Sequence, residues 1–426
     1  MATRRRALIK SSLALGAMGL AAPALAAGEL LPRRGRRVVV VGGGWGGATA
    51  AKYLRLLDPA IEVVLIEPKA AFRSCPTSNW VIGGLWDMSR ITRGYDALAR
   101  RHGVRVLTDR VTAIDPAARA VRVSGGTIGY DRLLLSPGIE LMYDGIDGMD
   151  AEARARVPAA WNAGPETELL RRQLAALPAR GTVAMTVPLS PYRCPPGPYE
   201  RACLIADFLK REKPGARLVV LDANSKIVSK GKLFAKAWDE LYSGIIDYRT
   251  DQQLVAVDAD TGLLTTAFDE VRADVLNVVP PQRANALCFA AGLVPKGRNW
   301  VPVDARTFEA AEAPGVHVVG DATDQTTVGR VPKSGYVANS MGKVAAAAMA
   351  ALLNDRPPPV PSMANTCYSL VSASEGISVT ALYRWDEASR RFVVPNGASG
   401  LSPARSRRIA ANAADWAHAI WDDMLA

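Results

Sequence analysis

"RRVVVVGGGWGGATAAKYLRLLDPAIEVVLIEP", residues 36–68, joins an apolar run, a glycine-rich turn and an acidic strand end. Four valines, Val38–Val41, make an apolar run of the length of a buried parallel strand. Gly42, Gly44 and Gly47 follow in the spacing G-x-G-x-x-G. Residues 48–57 predict a helix. Residues 62–66 predict a second strand that ends at Glu67, 20 residues after Gly47. Each part suits a dinucleotide. Gly42 makes the tight turn, Gly44 lets the backbone approach a pyrophosphate, and Gly47 packs the helix on the strand. The helix start offers free N–H groups to phosphate, and Glu67 can accept from ribose hydroxyls.

Working outward, two later segments decide which dinucleotide. "YDRLLLSPGIE" (130–140) and "GVHVVGDAT" (315–323) resemble the strand and turn, and the late Gly-Asp strand, of two-domain FAD flavoproteins. In such proteins the acid at Asp321 would bond the ribityl chain. The expectation is therefore FAD. The candidate contacts are Gly42, Gly44, Trp45, Gly46, Gly47, Glu67 and Pro68, then Val111, Ser136 and Gly138, and late in the chain Asp321 and Tyr336.

Residues 165–270 read as a second α/β unit, with strands at 182–187 and 217–222 and a helix from about 202. A second glycine-rich phosphate loop is absent from it. In that place stands "PLSPYRCPPGPY", with prolines at 188, 191, 195, 196 and 198. Proline has no N–H and stiffens the loop, so a second pyrophosphate finds few donors and nicotinamide is not the expected partner. The loop instead holds Cys194 at a fixed place, ahead of a helix start that would favour its thiolate. The fold expected is α/β, with two Rossmann-like, glutathione-reductase-like domains. These are a discontinuous FAD domain (36–164 and 271–354) and the insert. A C-terminal α+β interface domain (363–426) follows the linker "DRPPPVPS".

Residues 1–27 read as a twin-arginine export signal, with Arg4, Arg5 and Arg6, an apolar stretch and "ALA" at 24–26. The expected location is a bacterial periplasm. The formal charge is +11, and this segment carries four of the positive charges and no negative one, leaving +7. That surplus favours small anions or acidic partners. No basic run with interleaved aromatics points to nucleic acid. Five cysteines are an odd number for an oxidising compartment. His102, His317 and His418 are scattered without ligand spacing, so no metal site is expected, and no C-x-x-C-H would attach a haem. An apolar stripe of Trp416, Ile420 and Trp421 near "RSRR" reads as packing rather than membrane contact.

From Arg36 onward the chain resembles the flavoprotein subunit of flavocytochrome c sulfide dehydrogenase. The likeness rests on "VVVVGGGWGGATAAKYL", "SCPTSNWVIGG", "YRCPPGPYERA", "LNVVPPQRANA", "VPKSGYVANSMGKVAAAAM" and "NTCYSLVSASEGISV". The resemblance implies oxidation of sulfide or a related small sulfur compound, with electrons passing through FAD to a c-type cytochrome subunit. It implies a covalent FAD thioether at Cys75, and a redox disulfide in which one sulfur is Cys194. The other sulfur is expected directly after Gly-Asp-Ala, where this chain has Thr323. Threonine cannot do disulfide chemistry. That leaves Cys203 or Cys288 as a substitute, Cys194 acting alone, or a changed sulfur substrate. Lys333 is expected to bring a positive charge to the flavin. The rival readings are a sulfide:quinone reductase at a membrane surface and a non-catalytic sulfur-binding flavoprotein.

Overall fold

The computed structural model describes residues 29–426, so the expected export signal lies outside the described residues. Strand Arg37–Val41 is buried along its whole length and pairs in parallel with Glu62–Ile66 and with Arg132–Leu135. Strands Arg105–Leu107 and Val316–Val318 complete a five-stranded sheet. The valines have parallel neighbours on both sides, and each buried one contributes about 1.5–3 kcal/mol. His317 lies in this sheet and is packed there, between the Thr307 carbonyl (2.8 Å) and Arg132 (3.1 Å).

Helix Trp45–Leu57 crosses the long helix Gly335–Leu353 through small residues. A Cβ on Gly342 would stand 2.4 Å from the Gly46 carbonyl oxygen. The close crossing brings the N-termini of both helices to the carboxyl edge of the sheet, where an open α/β sheet binds its ligand. The long helix is apolar enough to resemble a membrane span, but most of it is buried inside the protein.

A second parallel sheet has the order Ile246–Arg249, Arg217–Asp222, Thr182–Val187, Val275–Asn277. The mixed α/β architecture with two Rossmann-like sheets is the one expected. After the linker, the antiparallel pair Ser362–Leu370 and Gly376–Asp386 carries the C-terminal helix Arg407–Leu425. Trp421, Ile420 and Met424 of that helix are buried, so its apolar stripe is spent on packing.

Candidate active site

The glycine loop opens onto a cleft of about 1500 Å³. Gly42, Gly44, Trp45, Gly46, Glu67 and Pro68 line it, and so do Cys75, Val111, Ser136, Gly138 and Asp321. Gly47 lies just behind the loop, where a Cβ would meet the Gly42 carbonyl oxygen at 1.8 Å. Gly42 has φ +96°, and a Cβ there would stand 2.3 Å from the Ser136 carbonyl oxygen. Nothing lies within 4 Å of a Cβ on Gly44, which faces open space. The helix that starts at Trp45 has no side-chain cap, leaving its first-turn N–H groups for a ligand. Glu67 accepts from the Gly43 N–H (2.7 Å) and the Lys69 N–H (3.0 Å), which fixes its carboxylate at the strand end.

FAD fits this cleft. Asp321 is half-buried at the cleft wall, and its Oδ1 is itself buried with no hydrogen-bond partner among the described residues. Burial holds its carboxyl above the usual range, opposed by Arg193 and Lys333. A buried orphan acceptor is costly unless a ligand satisfies it, and a polyhydroxyl chain would.

Two smaller spaces continue inward. The first, about 480 Å³, shares Trp45, Cys75, Arg193 and Asp321 with the cleft and adds Cys194. The second, about 460 Å³, shares Cys194 and Gly335 with the first and adds Cys367, Glu200, Tyr336 and Tyr368. Three half-buried thiols thus line neighbouring spaces, coded in three separate parts of the fold.

The Cys194 loop is pinned at both ends. The Cys194 N–H donates to the Lys333 carbonyl (2.7 Å), and the Arg193 N–H donates to Gln282 Oε1 (2.8 Å). Cys194 adopts φ +59°, in the left-handed region. For a residue with a Cβ that costs about 1 kcal/mol or more, and the two anchors hold it there. The expected thiolate at a helix N-terminus is not what the geometry provides. The first helical N–H, that of Gly197, donates to the Cys194 carbonyl (2.7 Å) instead of facing the sulfur. Burial then pushes the thiol well up, with Cys367 and Glu200 adding to it against Lys230 and Arg193.

Glu200 joins the three cysteine-bearing segments. Its carboxylate accepts from Trp80 Nε1 (3.0 Å) and Asn79 Nδ2 (3.3 Å) on the helix after Cys75. It also accepts from the Leu370 N–H (2.9 Å) at the end of the Cys367 strand. Beside it, Arg201 is buried and donates to Asn79 Oδ1, Asn277 Oδ1 and the carbonyls of Ala159 and Ala160.

Gly197 gives the Cys194 sulfur its room. A Cβ there would stand 3.0 Å from both Cys194 Sγ and the Trp161 ring. Gly197→Ala is helix-compatible, yet it must displace the thiol.

Some expected residues lie elsewhere. Lys333 does not line the cleft. Its Nζ donates to the carbonyls of Asp321 (2.8 Å) and Thr323 (2.6 Å) and sits 3.6 Å over the Trp300 ring. Its amino group is thus held inside the protein, where burial lowers its pKa to about 7. Tyr336 also misses the cleft. It lines the inner space and stacks on Trp416, 6.3 Å away at 16°. Thr323 is buried, with Oγ1 on the Gly320 carbonyl (2.8 Å), and lines neither space that holds Cys194. Cys203 and Cys288 are core residues; Cys203 accepts from Trp238 Nε1 at 3.1 Å. Two thiols share a space with Cys194: Cys75 in the first inner space and, in the second, Cys367, which the sequence reading passed over. In the sequence Cys367 stands alone in "NTCYSLVS", with no spacing to another thiol.

In the second Rossmann-like unit the strand-end acid is engaged by side chains of the protein. Asp222, at the end of its strand, accepts from Tyr199 (2.8 Å), Tyr248 (2.9 Å) and Asn224.

Comparison with known proteins accords with this arrangement. Residues 36–164 match pyridine nucleotide-disulphide oxidoreductases. Residues 167–280 match the central part of the sulfide dehydrogenase (flavocytochrome c) flavoprotein chain, and residues 359–425 match the flavin-binding part of flavocytochrome c sulphide dehydrogenase. A 46-residue stretch is 70% identical to the sulfide dehydrogenase (flavocytochrome c) flavoprotein chain of Chlorobaculum thiosulfatiphilum, spanning 11% of this chain and 96% of that sequence. The chain belongs to the flavocytochrome c sulfide dehydrogenase flavoprotein family. The mouse mitochondrial sulfide:quinone oxidoreductase is 25% identical over 306 residues, 68% of this chain and 66% of that one. The fold matches the sulfide:quinone oxidoreductase of Aquifex aeolicus with a TM-score of 0.75 at 18% identity, covering 91% of each chain. It matches an NAD-dependent persulfide reductase of A. fulgidus with a TM-score of 0.64 at 19% identity, over 81% of this chain and 63% of that one. Within the sulfide dehydrogenase flavoprotein family, the flavin-binding match at 359–425 contains Cys367, and the central match at 167–280 contains Cys194.

Proposed function

We propose that this chain is a periplasmic, FAD-dependent oxidoreductase that oxidises sulfide or a related small reduced sulfur compound and passes the electrons to a c-type cytochrome subunit. The observation that carries this reading is the inner space lined by both Cys194 and Cys367, next to the cleft. In the oxidised pair the S–S bond is the electrophile. Hydrosulfide attack on one sulfur forms a persulfide there and releases the other as thiolate. Overall, hydrosulfide loses two electrons and a proton and leaves at the level of zero-valent sulfur. When bound, FAD supplies a two-electron acceptor that can hand electrons on singly. Gly42, Gly44 and the first turn of helix Trp45–Leu57 would hold its pyrophosphate. Glu67 would hold the adenosine ribose, and Asp321 the ribityl chain.

Cys75 lines both the cleft and the first inner space, which supports a thioether tether to the flavin. Cys75→Ser is expected to retain FAD in the native protein and release all of it on denaturation, whereas the unaltered chain keeps flavin mass after denaturation. Intact-protein mass spectrometry reads both. From the cleft, Trp45 stacks in parallel on Trp416 of the C-terminal helix (6.1 Å), which stacks in turn on Tyr336 at the start of helix Gly335–Leu353 (6.3 Å). This stack supports electron exit on that side, towards a haem partner.

The test is anaerobic stopped-flow. Sulfide should bleach the flavin within the turnover time, and cytochrome c should restore its colour. Restoration by a short-chain quinone in lipid, with none by cytochrome c, would instead favour the membrane-surface reading. No bleaching at all would leave a sulfur-binding protein.

A further inference from the structure

Lys230 is 5% exposed and starts helix Gly231–Leu241 from the left-handed region, at φ +55°. Its ammonium makes no ion pair among the described residues. It donates to Ser369 Oγ (2.8 Å) and the Cys367 carbonyl (3.2 Å), and it lies 3.9 Å from Cys367 Sγ. A buried ammonium without a carboxylate is expensive, and this one is aimed at a sulfur. Among the described residues no side chain donates a hydrogen bond to the Cys194 thiol, although Arg193 and Lys230 favour charge there from further off; Gly197 packs beside it. We propose that Lys230 is a positioning residue that makes Cys367 the sulfur released as thiolate, so that a nucleophilic sulfur substrate is directed onto Cys194.

The inference rests on the reading of Cys194 and Cys367 as the reacting pair. The groups facing Cys367 are Lys230 and Glu200 from the second unit, Cys194, and Tyr336 and Tyr368 on its remaining sides. Glu200 opposes negative charge on both sulfurs, and among these groups Lys230 favours it with a hydrogen bond to Cys367 alone. In disulfide exchange the thiol that better carries negative charge leaves faster. The step balances. The hydrosulfide lone pair forms a bond to Cys194 Sγ, the Cys194–Cys367 bond breaks, and its electron pair stays on Cys367. One negative charge enters and one remains.

The test is a single addition of limiting sodium sulfide to the oxidised holoprotein, followed by an alkylating quench and peptide mass spectrometry to locate the added sulfur. The unaltered chain should carry it on Cys194 over Cys367 by about tenfold or more. Lys230→Met should bring the ratio near unity, and Lys230→Arg should restore the preference. An unchanged ratio in Lys230→Met overturns the role of Lys230. Should that variant lose its flavin absorbance, Lys230→Gln takes its place with the same expectation. If the unaltered chain has no Cys194–Cys367 link before sulfide is added, the underlying reading fails, independently of Lys230.

Discussion

Cys367→Ser is expected to slow sulfide-driven bleaching of the flavin by about a thousandfold or more. FAD content and melting temperature should stay near those of the unaltered protein. Removing one sulfur removes the S–S electrophile altogether, so the loss should match that of Cys194→Ser, and the double variant should add little to either. Such non-additivity is the mark of two groups acting as one unit. The controls follow from the packing. Thr323→Val should leave the rate within about threefold, since its hydroxyl serves only the Gly320 carbonyl. Thr323→Cys should not rescue Cys367→Ser, because position 323 lines neither space that holds Cys194. Stopped-flow absorbance at saturating sulfide reads each of these.

Gly47→Ala is expected to yield a protein without bound flavin and with a markedly lower melting temperature. Its Cβ would stand 1.8 Å from the Gly42 carbonyl oxygen, a contact between backbone elements with no flexible side chain to yield. Helix and strand would have to separate, at a cost on the order of 3 kcal/mol or more. Gly44→Ala makes the useful contrast. Nothing lies within 4 Å of its Cβ, and its φ of −74° suits alanine. The apoprotein should melt normally, yet FAD should bind more weakly because the methyl group points into the cleft. The ratio of flavin to protein absorbance, with a melt of the apo form, separates a fold defect from a binding defect.

The first Rossmann-like unit was legible because its signal is local. A buried strand, a glycine loop, a helix and an acidic strand end lie within residues 36–68, and each position follows from backbone geometry. Asp321 was reached through the resemblance of "GVHVVGDAT" to the late strand of FAD flavoproteins, and it lines the cleft. Lys333 and Tyr336 were misjudged for a common reason. Both sit beside the cleft in sequence, but their side chains turn towards the Asp321 and Thr323 carbonyls and towards Trp416. No sequence pattern encodes that choice between two neighbouring partners. Cys367 is harder still. It shares a space with Cys194 where Glu200 ties three remote segments around one carboxylate, and a buried tie of this kind leaves no spacing to read. The thiolate expected at Cys194 failed on a detail of one turn. The helix offered its N–H to a carbonyl, and burial then outweighed the helix dipole.

Everything chemical here depends on two thiols from different parts of the chain closing on each other. A peptide map of the oxidised holoprotein under non-reducing conditions tests that directly. The account predicts one cross-linked species joining the peptides of Cys194 and Cys367, lost on addition of a reductant, with Cys203 and Cys288 recovered as free thiols. Recovery of Cys367 as a free thiol, or of Cys194 joined to any other cysteine, would contradict it.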